Sequence, residues 1–190
     1  MHKAEVHLTS NTATLAKESL INSEIRLRGM ENAPVNLGDL DDDYENFVLF
    51  PSGNAQEINQ NFKMNCSKKI RLIIPDGSWS QAKKMIKREH KLSMYPKVKL
   101  STGPISNYRL RKEPTLESVS TFEAIARALG MIENQKTQDE LEKIFTIMVE
   151  RTLWGKSKIH ENDCVYPIPE KAINYRYSKT AFRNLNTFKE

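Results

Sequence analysis

The 190-residue sequence contains little cysteine, glycine or proline, with 2, 7 and 8 residues of these types. Cys66 and Cys164 stand apart, without a CxxC pair or the Cys/His spacing of a zinc site, so we expect no metal and a reducing compartment. A chain of this length buries about 70% of the surface that its unfolded form exposes, and therefore needs no disulfide or metal to hold a core. The composition excludes fibrous and disordered classes and predicts one globular domain.

Long hydrophobic runs are also missing. No segment approaches the roughly 20 apolar residues that span a bilayer, and the opening MHKAEVHL lacks the apolar centre of a signal peptide, so we expect a cytoplasmic protein without a membrane. No GxxxxGK(S/T) or GxGxxG motif is present, which excludes the P-loop and the dinucleotide fingerprint. His7, His90 and His160 have no carboxylate or cysteine at ligand spacing, so the histidines predict neither a metal site nor a catalytic triad.

Positive charge is present and unevenly distributed. The net charge is +5, and the segment from Trp79 to Lys112 holds ten Lys or Arg residues against the single acid Glu89. Lys83, Lys87 and Lys91 recur every fourth residue of a predicted helix, with two more cations beside them. Like charges at this spacing disfavour a helix, so the pattern favours a surface that meets phosphates, and a solvated helix face is the alternative.

Short apolar runs alternate with helical patterns along the chain. The runs predict strands at 47–50, 70–74 and 97–100, and the patterns predict helices at 11–20, 80–92, 120–132 and 141–152. This alternation indicates an α/β fold with a mainly parallel sheet flanked by helices. Ligands of such sheets bind beyond the carboxyl ends of the strands, which here are followed by loops at 51–54, 75–79 and 103–111.

The loop Asp76-Gly77-Ser78-Trp79 carries the densest group of chemical functions. A carboxylate leaves a buried strand, a glycine permits close backbone approach, and a hydroxyl and an aromatic ring stand at a helix start. An ordinary Asp-Gly turn with a tryptophan on the core is the alternative interpretation. Glu123 is equally ambiguous, because its capping-box spacing after a serine explains it without a catalytic role.

Four segments resemble the DTW domain family of tRNA-uridine aminocarboxypropyltransferases. They are SNTATLA (residues 10–16), VLFPS (48–52), PDGSWSQAKKM (75–85) and NYRLRKEPTLESVSTFEAIARAL (107–129), and the resemblance covers most of residues 5–155. The Asp-Thr-Trp that names the family is here Asp76, Ser78 and Trp79 around Gly77, which keeps the hydroxyl. The N-terminal cysteine cluster of many bacterial members is missing, which puts a zinc-bearing accessory element in doubt.

The resemblance implies a SPOUT-like α/β fold, knotted near the cofactor, that binds S-adenosylmethionine and transfers its 3-amino-3-carboxypropyl group to N3 of a tRNA uridine in the variable loop. Asp76 would remove the N3 proton, with Ser78 and Trp79 beside it. The residues implied at the cofactor are Phe50, Pro51, Ser52, Asp76, Gly77, Ser78, Tyr108, Arg109, Leu110, Arg111, Ser120, Thr121 and Glu123. Those implied at the RNA are Lys83, Lys84, Lys87, Arg88, Lys91 and Arg111.

The resemblance leaves several assignments open. Ser78 could hold the methionine carboxylate or the ribose, and Arg111 could pair with the carboxylate or with a phosphate. Trp79 could stack on a base or on the cofactor. A catalytic domain over 1–165, a basic extension over 166–190, and a monomer rather than a homodimer are further expectations. A SPOUT-type RNA methyltransferase and a non-catalytic RNA-binding protein are the alternative functions, and the RNA could be ribosomal.

Overall fold

The structure is a computed structural model that describes residues 1–3, 6, 11–29, 35–37, 40, 43–110, 115 and 118–176. The strands of the described residues are β1 (Tyr44–Leu49), β2 (Gln56–Glu57), β3 (Lys69–Ile73) and β4 (Lys97–Lys99). The helices are α1 (Thr12–Ser19), α2 (Trp79–Arg88), α3 (His90–Met94), α4 (Thr121–Ile132) and α5 (Gln135–Gly155). No helix in these ranges is long and apolar enough to cross a membrane.

The strands form one parallel sheet in the order β2-β4-β1-β3. The prediction of an α/β fold with a parallel sheet flanked by helices is therefore confirmed, and the three predicted strands correspond to β1, β3 and β4. β2 was not predicted, because two exposed polar residues give no hydrophobic pattern. The knot stays a prediction.

Strand β1 lies at the centre of the core and buries both of its faces. Phe47 and Leu49 pack in one cluster and Val48 and Phe50 in the other, as expected when successive side chains point to opposite faces. The first cluster includes Ala128 and Ile132 of α4; the second includes Ala82 and Met85 of α2 and Leu92 of α3. The uninterrupted apolar run in the sequence is thus the signature of a strand covered by helices on both sides.

The predicted helix at 80–92 is two helices. Glu89 has an extended backbone, with φ −89° and ψ 105°, so α2 ends at Arg88 and α3 begins at His90. The Glu89 carboxylate accepts a hydrogen bond from Arg28 Nε at 2.5 Å, which ties this break to a distant segment. The cationic row therefore does not run unbroken to Lys91, which is half-buried on α3.

The chain divides into two compact units, residues 1–145 and 146–190, with the boundary inside α5. In the second unit, the buried Glu150 accepts hydrogen bonds from Val165 N at 2.9 Å and Tyr166 N at 3.4 Å. Residues 170–176 are helical, and Arg176 lies over the Trp154 ring at 4.5 Å. The predicted domain boundary at residue 165 stays a prediction, and the tail beyond 176 lies outside the described residues.

Candidate functional site

The candidate site lies at the carboxyl edge of the sheet. Because the strands are parallel, the segments that follow β1, β3 and β4 all leave this edge, and β1 stands between the other two. The three loops that the sequence analysis selected, at 51–54, 75–79 and 103–111, are these segments. They are also where ligands of open α/β sheets bind.

Asp76 leaves β3 and enters α2 through a turn that needs glycine. Gly77 has a φ of +149°, and a Cβ at this residue would come within 2.9 Å of Gln81 Oε1. Ser78 caps α2, with its hydroxyl accepting from Gln81 N at 3.3 Å and its own N–H donating to Gln81 Oε1 at 2.7 Å. The turn is thus fixed on its helix side, and it leaves the Asp76 side chain buried, with 8% exposure.

The first residue of α4 holds the Asp76 carboxylate. Thr121 Oγ1 donates to Asp76 Oδ1 at 2.6 Å. This hydrogen bond fixes the orientation of the carboxylate at the start of α4. The arrangement presents an oriented, buried carboxylate at the edge of the sheet, which is what a general base requires.

Glu123 joins α4 to the loop that follows β4. Its carboxylate accepts from Ser106 Oγ at 2.6 Å, from Asn107 N at 2.8 Å and from Ser120 N at 2.9 Å. Ser120 Oγ in turn accepts from Glu123 N at 3.2 Å, which completes the predicted capping box. Glu123 is therefore both a helix cap and the anchor of the 103–108 loop, and the described contacts of its carboxylate oxygens are structural.

All four segments that carry the family resemblance meet around α4 and the sheet edge. Thr12 Oγ1, at the start of α1, accepts from Phe122 N at 3.4 Å across 110 positions of sequence. Phe50 and Trp79 join the other two segments, with ring centroids 5.4 Å apart in an edge-to-face arrangement. Motifs distant in sequence thus form one constellation, which the spacing of the segments alone could not establish.

Trp79 and Phe50 offer an aromatic surface beside Asp76. Phe50 is buried with 9% exposure, whereas Trp79 is 41% exposed at the first position of α2. An exposed ring supported by a buried one is suited to stacking on a flat ligand. Pro51 is exposed and Ser52 half-buried, and Ser52 Oγ donates to Asn54 Oδ1 at 3.0 Å in the same loop.

The chain's first residues lie against the Asp76 loop. His2 N donates to the Asp76 carbonyl oxygen at 2.9 Å, and the His2 Nδ1 and Gln81 Nε2 atoms are 3.2 Å apart. Burial lowers the pKa of the Met1 amino group, and the negative charge of Asp76 acts in the opposite direction. The Asp76 carboxylate therefore interacts electrostatically with the Met1 amino group.

The residues predicted after the 103–107 segment fall into different environments. Tyr108 is buried, and its ring centroid lies 5.8 Å from that of Phe145, so it packs the loop onto α5. Arg109 is exposed and Leu110 half-buried. Arg111, to which the sequence analysis gave both cofactor and RNA roles, lies outside the described residues.

The cationic surface of α2 is exposed next to this constellation. Lys83, Lys84, Lys87 and Arg88 are all exposed, while Ala82 and Met85 face the core. The helix therefore carries its charges away from the sheet. The lysines follow Trp79 within the first turns of the same helix, which places cations and the exposed ring on one element.

Sequence reasoning missed three residues at this edge. Ser106 and Asn107 bind Glu123, and Arg127 of α4 reaches Gly103 of the same loop. Arg127 carried a usable signal, since it is the sole charged residue between Glu123 and Glu133 in the sequence. Among the described residues, no group of three or more histidine, cysteine or acidic side chains is placed to hold a metal ion.

Comparison with known proteins agrees with these motifs. The sequence model of one protein family, described as DTW domain, matches residues 1–153. A mouse protein named tRNA-uridine aminocarboxypropyltransferase 2 is 28% identical over 117 residues, which are 62% of this chain and 39% of the mouse protein. Proteins of the same name from Macaca fascicularis and Drosophila melanogaster are 34% and 36% identical over 96 and 64 residues.

These alignments are partial on both sides. They cover 50% of this chain and 32% of the macaque protein, and 34% of this chain and 26% of the fly protein. The chain thus spans well under half the length of the relatives that it matches. No solved structure matches the chain.

Proposed function

Since the chain belongs to the DTW domain family, we propose that it transfers the 3-amino-3-carboxypropyl group of S-adenosylmethionine to N3 of a uridine in tRNA, with methylthioadenosine as the second product. The observation that carries the proposal is the Asp76 carboxylate, held by Thr121 at the sheet edge where the four family segments meet. The names of the relatives, tRNA-uridine aminocarboxypropyltransferase 2, support the same reaction.

The residues at this edge fit the chemistry of the donor. The Phe50 and Trp79 rings suit an adenine or a base, and a buried carboxylate suits a site that contains a cationic centre. The loop at 50–52 and the loop at 103–110, which Glu123 anchors, would hold the cofactor together with Ser120 and Thr121. S-adenosylmethionine supplies a sulfonium, which is a good leaving group.

Asp76 then acts as the general base. Uridine N3 is a poor nucleophile while protonated, so the carboxylate takes the N3 proton as the N–C bond forms. The carbon–sulfur bond breaks and its electron pair leaves with methylthioadenosine. Thr121 keeps the carboxylate oriented, and the main task of the fold is to align nitrogen, carbon and sulfur.

The exposed cations of α2 are proposed to bind the RNA backbone. Lys83, Lys84, Lys87 and Arg88 present charge to solvent without an ion pair among the described residues, and Lys91 lies beyond the helix break. A target uridine must be unstacked before N3 is accessible, and the exposed Trp79 ring would stack on the displaced base. We also propose that the target uridine lies in the variable loop of the tRNA and that the protein is a cytoplasmic monomer.

Product analysis tests the proposed reaction. The purified protein is incubated with S-adenosylmethionine and unmodified tRNA, and both the small molecules and the nucleosides are identified by mass spectrometry. We expect methylthioadenosine and an aminocarboxypropyl uridine in equal amounts. S-adenosylhomocysteine would instead identify a methyltransferase. If a parallel incubation with ribosomal RNA gave the modified uridine and tRNA did not, ribosomal RNA would be the substrate.

A binding measurement covers the non-catalytic alternative. If neither product forms and S-adenosylmethionine does not bind, while tRNA does, the chain is an RNA-binding protein and the proposal is wrong.

The RNA surface is tested by changing Lys83 and Lys87 to glutamine. In the control, Lys63 and Lys136, which are also exposed, are changed in the same way. Each lost phosphate contact should reduce the slope of log K against log salt by about 0.7–0.9.

A further inference from the structure

Arg127 is a partly buried cation whose charge is not compensated by any residue that the structure describes. Its side chain is half-buried on α4, and its Nε atom is buried with no hydrogen-bond partner in the part of the chain that the structure describes. The guanidinium also forms no ion pair within those ranges. A buried N–H group without an acceptor is costly, because it has lost its water and gained nothing in return.

The nearest carboxylate along the helix does not compensate Arg127. Glu123 is one turn earlier on α4, but its oxygens accept from Ser106, Asn107 and Ser120. These contacts hold the 103–108 loop and the start of the helix. The Arg127 charge is therefore left available for an anion that is not part of the described chain.

The guanidinium lies at the ligand edge of the sheet. Gly103 follows β4, and a Cβ on it would stand 3.2 Å from Arg127 Nη1 and 3.9 Å from Cζ. The Gly103 backbone is not left-handed, so the glycine is not required by its conformation. Its effect here is to let the guanidinium approach the backbone of a loop that the proposed function assigns to the cofactor.

We propose that Arg127 binds the α-carboxylate of the methionine part of S-adenosylmethionine, through Nε and a terminal nitrogen of the guanidinium. The proposal rests on the proposed function and adds a specificity-determining residue to it. A planar guanidinium pairs with a carboxylate through two parallel hydrogen bonds. A small ligand can approach a half-buried guanidinium, whereas the backbone phosphates of an RNA are met by exposed cations such as those of α2.

Binding of two related ligands tests the assignment. Decarboxylated S-adenosylmethionine keeps the sulfonium and adenosine but lacks the carboxylate, and equilibrium dissociation constants are measured for both ligands by calorimetry. We expect the unmodified protein to prefer S-adenosylmethionine, and Arg127→Met to weaken its binding by about 10- to 100-fold while leaving the decarboxylated ligand nearly unchanged. The preference should disappear in this variant.

Two further variants keep the test decisive if Arg127→Met does not fold. Arg127→Lys retains the charge without Nε and should retain part of the preference. Gly103→Ala adds a methyl group against the guanidinium and should reduce the preference without removing any polar atom. Arg88→Met is the matched control, and it should weaken tRNA binding but not the binding of either small molecule.

The outcomes separate this inference from the proposed function. If folded Arg127→Met, or the substitutes above, retain the full preference for S-adenosylmethionine, Arg127 does not bind the carboxylate. Loss of tRNA affinity in Arg127 variants with unchanged cofactor binding would assign the guanidinium to a phosphate and overturn the inference. If the unmodified protein binds neither small molecule, the proposed function itself fails.

Discussion

Helices α2 and α4 begin with the same device in two different surroundings. Each has a serine N-cap and a complete capping box, Ser78 with Gln81 and Ser120 with Glu123. Ser78 is exposed, whereas Ser120 and Glu123 are buried with 7% and 4% exposure. In α2 the box closes its own turn and Gln81 Nε2 lies 3.2 Å from His2 Nδ1, while in α4 the acid of the box binds a loop through Ser106 and Asn107.

The difference shows how one local motif acquires a wider structural role. A half-buried glutamine at the third helical position is sufficient to close a cap. A buried glutamate adds acceptor capacity, which Ser106 and Asn107 use. Asp76 lies between the two helix starts, because it precedes the α2 cap and accepts from Thr121 of α4.

The largest effect is expected at Asp76 itself. Asp76→Asn keeps the size of the side chain and removes the base, so methylthioadenosine release in the presence of tRNA should fall by about 10²- to 10⁴-fold. Asp43→Asn, at an exposed carboxylate, is the control and should retain full activity. Near-normal turnover by a folded Asp76→Asn protein would rule out the base.

Exchanging the acid and the amide of the two capping boxes should change stability by different amounts. In Glu123→Gln, an NH₂ group replaces one acceptor oxygen, which leaves a buried donor unsatisfied and should lower the free energy of unfolding by about 1–3 kcal/mol. Gln81→Glu keeps the acceptor for Ser78 N and places an acid in the first turn of α2, so it should change the free energy of unfolding by less than about 1 kcal/mol. Urea unfolding measures both, and equal effects would remove the distinction between the two caps.

The contact between the second cap and Asp76 is tested at Thr121. Thr121→Val removes the hydroxyl that donates to Asp76 Oδ1 and should lower kcat by about tenfold, which corresponds to roughly 1.4 kcal/mol of transition-state stabilisation. Thr121→Ser keeps the donor and should restore most of the rate. A serine variant as slow as the valine variant would show that the hydroxyl is not the cause.

A small effect is also expected from removing the exposed cap residue of α2. Ser78→Ala removes the acceptor of Gln81 N and should cost about 1 kcal/mol, or about 2–4 °C in Tm for a chain of this size. Gln81→Ala breaks the same box from its other side and should have an effect of the same order. Unchanged melting in both variants would mean that the α2 cap contributes nothing to stability.

Local signals predicted most of the elements and the N-terminal caps of α1 and α4, but not the end of α2 or the length of α5, which spans Gln135–Gly155. Asn11 is the cap of α1, with its side chain accepting from Ala13 N and Thr14 N, and the α4 box joins residues three apart. Such contacts depend on adjacent residues, so the sequence contains them in full. The break at Glu89 was missed because no glycine or proline marks it in the sequence, and the contact of Glu89 with Arg28, 61 positions away, is visible only in the structure.

The candidate site was predicted as a set of residues but not as an arrangement. The family resemblance selected Asp76, Thr121 and Glu123, but it did not indicate that Thr121 contacts the carboxylate or that Glu123 anchors a loop. Arg127 was passed over although it is the sole charged residue between Glu123 and Glu133, because the sequence does not show which groups surround it. Its isolation became visible only when the positions of its neighbours were known.

The sequence alone determined the alternation of strands and helices, the caps and the membership of the DTW domain family, because periodicity, capping and motifs are properties of neighbouring residues. The tertiary structure decided which cap is buried, which carboxylate is held by a threonine and which cation lacks a partner. These features depend on contacts between segments up to 110 positions apart. Such contacts form only when parallel strands bring their carboxyl ends to one edge.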